Sequence, residues 1–197
     1  YLIHYFIYSI QKNFMDKSNY YLFWCCVFFV ILKLISINTT NFNLYGDEAQ
    51  YWLWSKELSF GYYSKPPLLS WLISFVTFVF GDSFFVLKTI PIIIYFITSI
   101  LIFIFVKKLF NDVSLAICSA LTFHLLPSVS LSSFLLSTDI LLILFWTWGL
   151  IQVLKIKEYP SYFNFLLLGL ILGFAFLSKY AAIYFIISLI LLFIVEK

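Results

Sequence analysis

The chain has 197 residues, of which 63% are hydrophobic and only 11% charged, far too few charges to cover a soluble domain. Its net charge of +3 comes from twelve lysines and no arginine, too scattered a balance for nucleic acid. Any phosphate it meets must be held by lysine, backbone or helix ends, because no guanidinium fork exists. Apolar runs of about 18 or more residues mark membrane spans, so the chain reads as an all-α polytopic membrane protein.

Residues 1–14, within the N-terminal segment 1–19, are apolar and aromatic, too short to span and without a signal-peptide cleavage pattern. They read as a cytoplasmic or interfacial segment, or as sequence upstream of a start at Met15. The chain opens on Tyr1 and its last apolar run stops at Glu196-Lys197, which reads as a fragment of a longer protein. From 20 to 197 the elements form one transmembrane module.

The first span covers 20–37, with Lys33 close enough to its end to snorkel. A loop over 38–83 follows. It opens on a polar stretch and then the island Gly46-Asp47-Glu48-Ala49-Gln50-Tyr51-Trp52. Asp47 is placed to cap a short helix over 48–58, where a carboxylate accepts from free N–H groups and suits the dipole. Tyr51, Trp52 and Trp54 are residues that membrane interfaces collect, so this helix lies on the membrane.

Next comes Tyr62-Tyr63-Ser64-Lys65-Pro66-Pro67-Leu68. Pro66 forces Lys65 into an extended conformation, and Pro67 suits the first turn of a helix. The run 68–80 is about two-thirds of a crossing by helical rise, and Gly81-Asp82 ends it, so it is a second interfacial helix. Five further spans follow over about 84–106, 113–131, 140–154, 162–177 and 181–195, making six in all.

Lys107-Lys108 and Lys155-Ile156-Lys157 occupy alternate connections, which the positive-inside rule puts in the cytoplasm. The Asp47 island, Ser137-Thr138-Asp139 and Ser178-Lys179-Tyr180 then all face the other side. Three separately encoded polar signals converge on one extracytoplasmic site.

Each residue in that site has two readings from spacing alone. Asp47 is a general base or a helix cap. Its neighbour Glu48 points about 100° away on a helix, so the two are not a glycosidase-type pair, and Glu48 is supporting or metal-binding. Asp139 caps a span or faces a cavity. Lys65 and Lys179 neutralise an anionic group or snorkel. Tyr62 and Tyr63 stack on a sugar or anchor at the interface. Elsewhere, His124 reads as a buried interhelical hydrogen bond, Gly169 and Gly173 as tight helix packing, and Cys25, Cys26 and Cys118 as small core residues.

The first-loop residues, together with Leu136-Ser137-Thr138-Asp139 and Gly169-Leu170-Ile171-Leu172-Gly173-Phe174 leading to Leu177-Ser178-Lys179-Tyr180, carry a resemblance. From about residue 20 onward the chain resembles bacterial GT-C glycosyltransferases of the protein O-mannosyltransferase-like and aminoarabinose transferase-like kind. The resemblance implies a GT-C-like N-terminal module, missing its C-terminal part, in the cytoplasmic membrane. It implies a polyprenyl-phosphate sugar donor and transfer at the outer face to a hydroxyl on a lipid, glycan or protein.

By position, Asp47 resembles the catalytic acid, Lys65 the lysine near the donor's phosphate, and Asp139 the acid of the second loop. Glu48, Tyr62, Tyr63 and Lys179 join these as substrate-binding residues. Gln50 stands where aminoarabinose transferases often carry arginine, so neither lipid A nor aminoarabinose follows. No cofactor is required by anything in the sequence, and a divalent metal on Asp47 stays open. The competing reading is a transporter or channel with its acids lining a pathway, but such groups usually sit near the midplane in repeated halves, and no repeat is visible here.

Overall fold

The computed structural model describes residues 20–21, 24–37 and 43–195; the segment 1–19 and most of the polar stretch after the first span lie outside them. Among the described residues the regular elements are all helices, without strands. Helix α1 is Trp24–Ile37. It is followed by α2 (Gly46–Trp54), α3 (Leu68–Phe80), α4 (Phe84–Phe110), α5 (Val113–Leu125), α6 (Pro127–Ser132), α7 (Thr138–Glu158) and α8 (Tyr162–Ser178). A 3-10 turn, Tyr180–Ala182, leads into α9, Ile183–Val195.

Among the described residues, α4 and α7 are long and apolar enough to cross a membrane, while α1, α3, α5, α8 and α9 are apolar but shorter. By helical rise α4 measures about 40 Å and α7 about 31 Å, against a hydrocarbon core of about 30 Å. The expected span over 113–131 is instead two helices. Pro127 has no N–H to donate and holds Leu126 extended, at ψ 126°, so α5 stops and α6 starts in a new direction.

Helix α4 packs on α5 and α7, and α7 packs on α8. At one end of this bundle α2 and α3 close over it. Tyr51, Leu69 and Ile73 enter one core with Leu87, Ile90 and Tyr95 of α4 and with Leu136, Ile140 and Leu141. Leu69 and Ile73 lie one turn apart on the same face and are fully buried. At the opposite end Lys107 and Lys108 occupy the last turn of α4, and Lys155 and Lys157 the last turn of α7, where cations suit the dipole. Lys108 pairs there with Glu158 at 3.0 Å, so the two lysine-bearing connections are neighbours.

Several interior expectations change. Lys33 does not reach the surface: it is 8% exposed, and its ammonium meets no partner among the described residues. His124 is buried as expected, but neither ring nitrogen is hydrogen-bonded among the described residues. Its ring stacks on Phe29 of α1 at 6.1 Å. Gly169 and Gly173 face outward, because α8 turns Ile171 and Ala175 inward, and nothing lies within 4 Å of where their Cβ atoms would stand. The close approach is at Gly149, where a Cβ would come within 2.9 Å of Phe185 Cζ. Of the cysteines, Cys26 is buried while Cys25 and Cys118 are exposed.

Candidate active site

Helix α2 starts two residues earlier than the sequence suggests, and Asp47 does not cap it. The backbone N–H of Tyr45 donates to Glu48 Oε2 at 2.9 Å, so the cap is the glutamate, reaching back one turn. At the other end the Ser55 hydroxyl donates to the Trp52 carbonyl at 2.6 Å, and the helix closes at Trp54.

Glu48 is 1% exposed. Its Oε1 accepts the backbone N–H of Leu136 at 2.8 Å. Lys88, four residues into α4, donates to both carboxylate oxygens at 2.7 and 2.6 Å and to the Phe134 carbonyl at 2.9 Å. Every proton of the ammonium is used, which is how a buried charge is tolerated. Glu48, expected among the substrate-binding residues, is thus turned inward and fully occupied by protein.

Lys88 is not among the residues the sequence singles out, although a signal exists. An ionisable group inside an apolar helix is costly and needs a named partner.

Asp47 stands on the exposed side of the same turn, free of the capping bond that was its structural explanation. One turn along, the buried Tyr51 phenol is pushed above its ordinary pKa, first by burial and then by the charge of Asp47; Asp139 adds to this, and a hydrogen bond with Thr138 opposes it. Tyr51 therefore feels the charge of both the first-loop acid and the second-loop acid. Asp139 in turn accepts from Lys179 Nζ at 2.5 Å, both side chains being partly exposed. Ser137 is the N-cap of α7 and Asp139 is in its first turn. Asp47, Asp139 and Lys179, from three separate stretches of chain, are brought to one end of the bundle.

The residues after α2 form a braced loop. Trp52 Nε1 donates to Asp82 Oδ1 at 2.8 Å, and Lys56 pairs with the other oxygen while lying over the Trp52 ring. The hydrogen bond from Lys56, then that from Trp52, hold the Asp82 carboxyl below the usual carboxylate range. A depressed pKa means this clamp is present above the ordinary carboxylate pKa and is lost as pH falls through the lowered value.

Tyr62 stacks on Trp54 at 4.8 Å, and its hydroxyl bonds the Trp54 carbonyl at 2.8 Å. It braces the loop, with one ring face already covered. Tyr63 is fully exposed. Lys65 is half-exposed; its carbonyl accepts from Tyr62 N–H at 3.2 Å, and its ammonium forms no ion pair among the described residues. Lys65 and Asp47 are not in contact. One belongs to the loop pinned at the last turn of α2, the other to its first turn.

A space of about 400 Å³ is lined by Tyr45, Phe84, Lys88, Phe134 and Leu135, and two others lie near the first loop. A pocket of about 590 Å³ with a mixed lining includes Trp54, Lys56, Glu57, Leu58, Tyr62 and Tyr63. An almost wholly apolar groove of about 650 Å³ runs between α3, α4, α7 and α8, past Leu68, Leu72, Ile90, Leu141, Phe145 and Leu170. No three His, Cys, Asp or Glu side chains cluster as metal ligands among the described residues. A divalent ion on Asp47 would need ligands from substrate or water. The arrangement offers an exposed carboxylate, lysines at the same end, and a groove suited to a hydrocarbon chain.

A family model described as dolichyl-phosphate-mannose-protein mannosyltransferase matches residues 64–197. The lipid A galacturonosyltransferase RgtD of Rhizobium johnstonii is 32% identical over 157 residues, covering 79% of this chain and 33% of that protein. The chain thus spans about a third of the length of the curated relative it matches. No solved structure matches.

Proposed function

This chain belongs to the dolichyl-phosphate-mannose-protein mannosyltransferase family of GT-C membrane glycosyltransferases, and from that premise we propose that it carries the base and donor-binding groups of such an enzyme. The donor is a sugar linked to a polyprenyl phosphate. The prenyl chain lies in the apolar groove beside α3, and Lys65 meets the phosphate. Asp47 takes the proton of the acceptor hydroxyl as its oxygen attacks the anomeric carbon. The bond from that carbon to the phosphate oxygen breaks, and polyprenyl phosphate leaves with the electron pair. A positioned base and fixed positive charge are what this displacement needs.

The observation that carries this reading is the exposed Asp47 carboxylate. It is relieved of capping by Glu48 and stands at the end where Asp139 and Lys179 meet. The acceptor is a hydroxyl on a lipid, glycan or protein. The relative's name speaks of galacturonosyl transfer to lipid A, which makes hexuronic acids and hexoses the first donor sugars to try. Full-length protein in vesicles should transfer sugar from a polyprenyl-phosphate donor and not from the matching nucleotide sugar. Transfer from the nucleotide sugar alone would overturn the proposal.

The same reading puts the Asp47 end outside the cytoplasm, in a multi-pass protein of the inner membrane. Cysteines introduced at Ser64 and Ser137 should react with a membrane-impermeant thiol reagent in intact cells. Cysteines beside Lys107 or Lys157, at the lysine-rich end, should stay unlabelled. The opposite pattern would turn the molecule over and put the site in the cytoplasm.

A further inference from the structure

We propose that the buried Glu48–Lys88 pair is the positioning device of the site, setting Asp47 in register with the second loop that carries Asp139; this rests on the reading of Asp47 as the base. Three stretches of chain meet on one carboxylate. Glu48 follows Asp47 directly, Lys88 is 40 residues on in α4, and Leu136 is 88 residues on, just ahead of Thr138 and Asp139. The carboxylate takes four hydrogen bonds, one each from Tyr45 and Leu136 and two from Lys88, filling its acceptor sites. Lys88 spends its remaining proton on Phe134, in the same second loop.

Neither group has capacity left for substrate. Their joint geometry admits one placement of α2 against that loop. Tyr51, which shares one buried core with Leu136 and Ile140, adds a second tie between the same two segments.

The chemistry of the pair argues for placement over stability. A buried ion pair seldom stabilises a fold more than apolar residues of the same size, whereas losing one partner is strongly destabilising. The surrounding core of Leu87, Ile90, Leu136 and Ile140 could have been completed with an apolar pair. What an apolar pair cannot do is hold two backbone N–H groups and a carbonyl from different segments at fixed directions. Lys88 also cancels the charge of Glu48, leaving the uncompensated negative charge at this turn to Asp47.

The test separates placement from folding. In the full-length protein, Glu48→Gln and Lys88→Met singly should each lower thermal stability, since each strands a buried group. The double variant Glu48→Gln/Lys88→Met should recover part of that stability, because no unpaired buried charge remains. Its single amide oxygen can accept from Tyr45 or from Leu136 and not from both, since those N–H groups bond to different carboxylate oxygens. Its kcat should remain roughly 10- to 100-fold down with donor KM near wild type, the scale expected for displacement of a catalytic group by about an ångström.

Spin labels at Gln50 and Ser137 should give one narrow distance in the wild type and a broadened one in the double variant. Wild-type kcat in a stable double variant, or an unchanged narrow distance, would overturn the proposal. A fully active Asp47→Asn would instead remove the assignment of the base, and the label distance still decides what the pair does.

Discussion

Asp47→Asn in the full-length protein is expected to lower sugar transfer by about 100- to 10,000-fold, the usual range for removing a general base, with no loss of protein. The second half of that expectation comes from the structure. A carboxylate at a helix start is ordinarily a cap, and replacing a cap costs about 1 kcal/mol. Here the Tyr45 N–H is held by Glu48, so the Asp47 amide leaves the helix start as it was. The comparison variant is Glu48→Gln, where stability should fall because Lys88 loses its partner. Near-normal turnover in Asp47→Asn would leave that carboxylate as a favourable dipole charge and nothing more.

Lys65→Ala is expected to cost roughly 100- to 1,000-fold in kcat/KM for the donor, comparable to losing one preorganised donor to a developing anion. Both binding and turnover should suffer, since negative charge on the leaving phosphate grows toward the transition state. Lys65→Arg should recover only part, because a planar fork does not replace a compact ammonium. Steady-state kinetics against donor concentration decide the matter. Wild-type values for Lys65→Ala would reassign the phosphate to Lys179, whose ammonium would have to leave Asp139.

The sequence makes the helices and the site's general location legible because both rest on local rules. Apolar runs and the lysines of alternate connections place α4 and α7, and the breakers Gly81 and Pro127 are visible as residues. The Pro127 break was hidden because hydropathy averages across it: 113–131 is predominantly apolar and carries no Asp, Glu or Lys, yet its backbone cannot continue as one helix. Partner choice was not legible. Which of two adjacent acids turns inward depends on Lys88 lying opposite it, 40 residues away. The capping role of Glu48, the pairing of Lys179 with Asp139 and the use of Tyr62 as a brace are likewise tertiary facts. Glycine spacing misled for the same reason, since Gly169 and Gly173 meet a neighbour only if α8 turns that face inward.

Helix α7 also works as a ruler for depth. Asp139 is in its first turn and Lys155 in its last, and the rise between them is about 24 Å. The hydrocarbon layer is about 30 Å thick. With Lys155 at one headgroup plane, Asp139 falls short of the other by several ångströms, a mismatch that a locally thinned membrane or a dimple at the Asp139 end would absorb. On the function proposed above, a lipid-borne sugar would meet the carboxylates by sliding sideways at headgroup level, without its prenyl chain being lifted from the bilayer. The acceptor would then be the partner that has to descend.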